Sequence, residues 1–225
     1  MNGKLIVIEG LDGSGKATQT KLLYEALREK YNNVIRISFP DYSQPSSSLV
    51  KMYLNSEFGD NPDDVNAYAA SSFFAVDRYA SYMKFWKKNY KNGDIVLADR
   101  YSTSNCTFQM SKLDKSEWDA YLEWFNDYEY SKLGLPVPDV VIYLDMPTEV
   151  SQKLMNKRYH GDECKKDLHE SNIKFLKSCG ESAMYSAKKF NWNIVECSKN
   201  GEPRSIDDIH SEIIDIVERM ILRDD

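Results

Sequence analysis

The chain has 225 residues, 42% of them hydrophobic and 28% charged, with 29 Lys+Arg against 35 Asp+Glu for a net charge of −6. A chain of this size buries roughly 70% of its unfolded surface, enough for one large core, so one domain over 1–225 is the expectation. The acidic balance excludes coating nucleic acid or anionic membrane by bulk charge, but not a local anion site made of a few residues.

Met1–Lys4 runs directly into the apolar Leu5–Ile8, which is too short for a signal h-region or a membrane span. Leu5 to Glu9, Val34 to Ser38, Ile95 to Ala98, Val140 to Leu144 and, more weakly, Asn193 to Glu196 read as buried strands separated by enough chain for helical crossovers. That alternation predicts an α/β fold with a five-stranded parallel sheet flanked by helices in three layers, and ligand residues at the carboxyl ends of the strands. Leu22, Leu23, Ala26 and Leu27 mark a helix after Lys16. Val65, Tyr68, Ala69, Ser72, Phe73, Val76, Tyr79, Ala80 and Met83 mark a helix of about six turns and supply its expected core stripe. Ser205 opens the last helix with Asp208 three residues on, and Ile206, Ile209, Ile213, Val217 and Met220 form its apolar stripe.

Gly10, four residues, then Gly15 and Lys16 follow the first strand and precede a helix. This is the spacing and context of a phosphate-binding loop, in which glycines let backbone amides curl toward an anion and Lys16 reaches the distal phosphates. The expected residues of this nucleotide-phosphate cradle are Gly10, Leu11, Asp12, Gly13, Ser14, Gly15, Lys16, Ala17 and Thr18. Ala17 stands where a magnesium-ligating hydroxyl is usual, and Thr18 points about 100° away. Mg²⁺ is therefore expected to sit on phosphates, waters and nearby carboxylates, with Asp12 and Asp99 as candidates.

Asp99 ends the third strand and Arg100 follows it, which suits a metal-water ligand beside a second phosphate site; a structural ion pair is the alternative. Phe74 and Arg78 share a helix face, which would suit a nucleobase, though spacing alone favours the packing of one helix on its neighbour. The polar run 157–167, with Lys157, Arg158, Lys165 and Lys166, reads as a mobile lid over a transferring phosphate or as a plain solvated loop. His160, Cys164 and His169 fit no usual zinc spacing. The four cysteines form no CxxC pair, which points to a reducing cytoplasm.

Ile8 to Lys16, Phe74 with Arg78, and Asp99-Arg100-Tyr101-Ser102-Thr103-Ser104-Asn105 through Phe108-Gln109 together resemble the thymidylate kinases, which have a P-loop NTPase-like fold. Lys166 to Glu170 looks like the lid of Gram-positive bacterial members. The resemblance implies transfer of phosphate from ATP to dTMP with Mg²⁺, in a homodimer that binds neither nucleic acid nor membrane. It implies Lys16, Asp12, Arg100 and Arg158 as catalytic residues, with Arg100 on the substrate phosphate and Arg158 in a lid at about 157–168. It further implies Phe74 stacked on thymine, Arg78 on its edge, Ser104, Asn105 and Gln109 around it, and Phe108 crowding the sugar. Glu170 joins Asp12 and Asp99 near the metal. Two departures stand out: Gly13 replaces a basic residue that some members use, and Pro40-Asp41-Tyr42 replaces an arginine-containing turn. A kinase for another nucleoside monophosphate or a deoxynucleoside is the nearest alternative. A GTP-binding switch is a more distant one, because the chain has no Asn-Lys-x-Asp motif.

Overall fold

A computed structural model of the chain describes residues 2–158, 169 and 172–221, with 156–158 described by their backbone alone. In chain order the elements are β1 (Lys4–Gly10), α1 (Lys16–Lys30), β2 (Val34–Ser38), α2 (Ser48–Leu54), α3 (Ala67–Ser81), α4 (Lys87–Lys91) and β3 (Ile95–Asp99). They continue as α5 (Thr103–Phe108), α6 (Trp118–Phe125), β4 (Val140–Asp145), α7 (Thr148–Arg158), α8 (Ile173–Phe190), β5 (Asn193–Glu196) and α9 (Ile206–Ile221). A small hairpin pairs Ser198–Lys199 with Glu202–Pro203.

The five main strands form one parallel sheet in the order β2-β3-β1-β4-β5. The apolar runs of the inner strands β1, β3 and β4 are continuous because helices cover both faces, and the period of two sorts each run between two cores. From β1, Leu5 and Val7 join the cluster that includes Trp86, Tyr121 and Phe125. Ile6 and Ile8 join Leu23 and Leu27 of α1 and Ile213 and Val217 of α9. β3 and β4 divide the same way, with Val96 and Tyr143 on the first side and Leu97 and Ile142 on the second. Ser205 caps α9 as expected, its hydroxyl accepting from the Asp208 amide at 3.1 Å. Ile206, expected in the buried stripe, is exposed at the first helical position, and Ile216 is buried instead.

The facing of α3 also differs from expectation. The helix buries Ala67, Ala70, Ser71, Ala75, Asp77 and Arg78, whereas Tyr68, Val76, Tyr79 and Met83 are 37–48% exposed. Small residues let α3 approach its neighbours closely, so the large apolar stripe is turned outward. The helix continues through a π-helical turn at Tyr82–Trp86.

Candidate active site

The carboxyl ends of β1 and β3 meet at one edge of the sheet, where Ile8 pairs with Asp99. β1 ends at Gly10 and α1 begins at Lys16, so the glycine motif forms the turn between strand and helix. Gly15 caps α1 in the left-handed region at φ 90°. Gly13 has φ 78°, and a Cβ there would lie 2.8 Å from the Ser151 carbonyl oxygen and 2.9 Å from Met155 Cγ. That crowding against α7 explains why this position holds no basic residue: any side chain would displace either the loop or α7. Lys16 is buried, with Nζ donating to the Leu11 carbonyl at 2.7 Å and lying 3.7 Å from Asp12 Oδ1. The Ser14 hydroxyl is buried in the loop without a hydrogen-bond partner, as suits a group awaiting an anion's oxygen. Ala17 and Thr18 are both exposed on the first turn of α1.

Arg100 occupies a left-handed conformation (φ 65°) immediately after β3. Its Nη2 donates to Asp12 Oδ1 at 2.5 Å, its Nη1 lies 3.9 Å from Glu9 Oε2, and its guanidinium sits 4.7 Å from the Phe108 ring centroid. Glu9 is fully buried and accepts from the Thr103 hydroxyl at 2.6 Å, the Ser104 hydroxyl at 2.9 Å and the Tyr101 amide at 3.2 Å. These contacts tie the loop to the start of α5, and the motif contained Glu9 without revealing that role. Burial works against the Asp12 carboxylate, but Arg100 and Lys16 outweigh it and lower its pKa to about 2. Burial, with Arg100 nearby, lowers the Lys16 ammonium to about 8 despite Asp12, Asp99 and Glu9. For Arg100 burial is again the largest influence and lowers the pKa, but Asp12, Glu9 and Asp99 together raise it above the usual value.

Asp12, Phe74, Arg78, Arg100, Ser104, Asn105, Phe108 and Gln109 all line one cleft beside the loop. Phe74 and Arg78 thus share a cleft wall. Arg78 is held from behind by a buried carboxylate, Glu129, which lies in a π-helical stretch at Asn126–Lys132. Phe39, Pro40 and Tyr42 form an apolar wall after β2, so the turn lacking arginine contributes shape rather than charge. Asp77 anchors that turn, accepting from the Asp41 amide at 3.0 Å and the Ser46 hydroxyl at 2.6 Å.

His169 also lines the cleft, stacked on Phe108 with centroids 5.5 Å apart and 2.9 Å from the Tyr53 hydroxyl through Nε2. Burial chiefly, then Lys112, lowers its pKa to about 3, so the ring is neutral. Its place is between aromatic rings, and no cluster among the described residues could hold a metal ion. The side chains of Lys157, Arg158, His160, Cys164, Lys165, Lys166 and Glu170 lie outside the described residues, as does most of the expected lid. For Mg²⁺ the described donors are few: Asp99 ends β3, Asp12 faces two cations, and Ala17 has no hydroxyl. Such a set fits an ion that arrives on phosphates and meets carboxylates through water, rather than a resident ion.

Among the described residues no helix is long and apolar enough to cross a membrane. A family model described as "Thymidylate kinase" matches residues 8–213. The chain is 31% identical over 159 residues to a thymidylate kinase of Mycobacterium tuberculosis, covering 70% of this chain and 73% of the relative. It is 31% identical over 222 residues to a probable thymidylate kinase of Thermococcus onnurineus, covering 97% and 98%. In fold it is similar to a solved thymidylate kinase from Candida albicans, with TM-score 0.72 and 23% identity over 97% of this chain and 92% of that one. Relatives from such diverse taxa do not support the expected likeness to Gram-positive bacterial members in particular.

Proposed function

The chain belongs to the thymidylate kinase family, and from that premise we propose how its cleft performs the reaction. It transfers the γ-phosphoryl group of ATP to dTMP, giving ADP and dTDP. A dTMP phosphate oxygen attacks the γ-phosphorus and the bond to the β-γ bridging oxygen breaks. The attacking oxygen is already anionic, so alignment and charge neutralisation matter more than a general base.

In this reading residues 10–18 cradle the ATP phosphates, with Lys16 leaving the Leu11 carbonyl to follow the charge on the transferring group. Arg100 exchanges part of its contact with Asp12 for the dTMP phosphate. Phe74 stacks on the base, Arg78 and Asn105 read its edge, and Ser104 and Gln109 flank it. Phe108 narrows the space beside the sugar. Arg158, on the lid expected at 157–168, adds charge over the phosphates. Mg²⁺, when bound, neutralises phosphate charge, and Asp12, Asp99 and Glu170 are the carboxylates assigned to its waters. The observation that carries the reading is the convergence of eight expected nucleotide residues, Arg100 among them, on one cleft beside Lys16. Comparing kcat/KM for dTMP, dUMP, UMP, dCMP and thymidine tests it; absence of a dTMP preference contradicts it.

A single domain and a homodimer belong to the same proposal, and the outward apolar stripe of α3 supports the dimer. A cytoplasmic location is supported by Cys106, Cys179 and Cys197, which are buried and free.

A further inference from the structure

Glu129 touches two of the proposed base-reading residues from behind the cleft wall. It is fully buried, between Tyr128 and Tyr130 in the π-helical stretch Asn126–Lys132. Arg78 donates to it twice, from Nε to Oε2 at 3.3 Å and from Nη2 to Oε1. Asn105 Nδ2 donates to the same Oε1 at 3.0 Å and to the Ser71 carbonyl at 3.3 Å, which uses both amide hydrogens. Further support comes from Tyr121, whose hydroxyl donates to the Asn105 carbonyl at 3.3 Å.

An ionised carboxylate only accepts hydrogen bonds, as does a backbone carbonyl, so Glu129 with the Ser71 carbonyl fixes which end of the Asn105 amide faces them, Glu129 by the shorter contact. The amide oxygen, Asn105 Oδ1, is left without a protein hydrogen bond among the described residues, and Asn105 lines the cleft. Arg78 likewise spends Nε and Nη2 on Glu129 and keeps Nη1 for the cleft it lines. The result is a donor at Arg78 beside an acceptor at Asn105.

We propose that Glu129 is the positioning residue that sets base choice, orienting Arg78 and Asn105 to accept a pyrimidine carbonyl next to a ring N–H and to reject an amino group next to a bare ring nitrogen. Thymine and uracil carry the first pattern and cytosine the second. The proposal deepens the functional reading and rests on it, since it assumes that a nucleoside monophosphate base enters this cleft. Cytosine would place donor against donor and acceptor against acceptor, leaving buried polar groups unpaired. A buried ion pair adds little stability over apolar packing, but it enforces one geometry.

The test compares dTMP with 5-methyl-dCMP, which differ only at those two base positions, as substrates of the wild type and of Glu129→Gln. The wild type should favour dTMP by about 10³-fold in kcat/KM, from two paired base contacts worth about 10–100-fold each. In Glu129→Gln a side-chain NH₂ can face Asn105 and let its amide turn over. The dTMP preference should then fall at least about tenfold, mainly through the KM for dTMP, with the KM for ATP unchanged; one good base contact is worth about 10–100-fold. A merely structural role would lower both substrates together, and an unchanged ratio in the variant overturns the proposal. If Glu129→Gln does not fold, replacing Arg78 and Glu129 together by Met removes both buried charges at once. The preference then drops below about tenfold if Glu129 orients Asn105, and staying above that, held by Asn105 alone, overturns the proposal. Failure of the wild type to phosphorylate dTMP sinks the functional reading itself. Wild-type turnover of dTMP with no discrimination against 5-methyl-dCMP overturns only the base-edge pattern.

Discussion

Arg100 Nη2 lies 2.5 Å from Asp12 Oδ1, joining the end of the third strand to the phosphate loop across 88 residues of sequence. The pair brings the cation proposed for the acceptor phosphate to the loop proposed for the donor. Arg100→Ala should lower kcat/KM for dTMP by about 10²–10³-fold while leaving the KM for ATP within a few-fold, as for loss of a preorganised charged donor. Steady-state kinetics with each substrate varied in turn checks this, and near-normal kcat/KM for dTMP contradicts it. Asp12 adds a stability signature. Its pKa is depressed on folding, so its stabilisation is present above the ordinary value of 3.8 and is lost as pH falls toward about 2. The side chain is a quarter exposed, so the effect on Tm is small. It should shrink further in Arg100→Ala.

The Lys16 ammonium, lowered by burial to about 8, is charged below that pH and loses its proton above it. The ratio kcat/KM for ATP reports the free enzyme and should fall along an alkaline limb near pH 8. Bound phosphates favour the cation, so the limb in kcat itself should lie higher. A kcat/KM for ATP that stays flat to pH 10 contradicts this.

Gly13 combines a positive φ with a close approach to the Ser151 carbonyl, whereas Gly134 has φ 66° and open space within 4 Å of where a Cβ would lie. Either glycine changed to Ala should cost about 1–3 kcal/mol from backbone strain. Only Gly13→Ala should also raise the KM for ATP, because only there must loop and α7 separate. Thermal melts and ATP kinetics on the two variants distinguish strain from crowding.

Val76 and Tyr79 of α3, with Met83 in the π-helical turn that continues it, expose an apolar stripe. Sedimentation should give twice the monomer mass, and Val76→Asp with Met83→Asp should give the monomer. A wild-type monomer at micromolar concentration contradicts the dimer.

The central strands β1, β3 and β4 were legible because each holds a continuous apolar run, and β1 differs from its expected bounds by only one residue at each end. The glycine loop was legible because its spacing and its strand-helix context coincide. Periodicity revealed the helix at α3 but not its facing, since an outward stripe has the same 3.6-residue period as a buried one. Glu129 was illegible for a different reason: its partner Arg78 is 51 residues away, and nothing near Tyr128-Glu129-Tyr130 resembles a motif. Likewise His169 lies 116 residues from Tyr53, and only folding brings the two beside the cleft.

The most direct measurement follows ADP release from ATP and Mg²⁺ by the purified chain, with and without dTMP. The account predicts turnover that depends on dTMP and yields one dTDP for each ADP. ADP release at the same rate without dTMP, or none with it, would contradict the account.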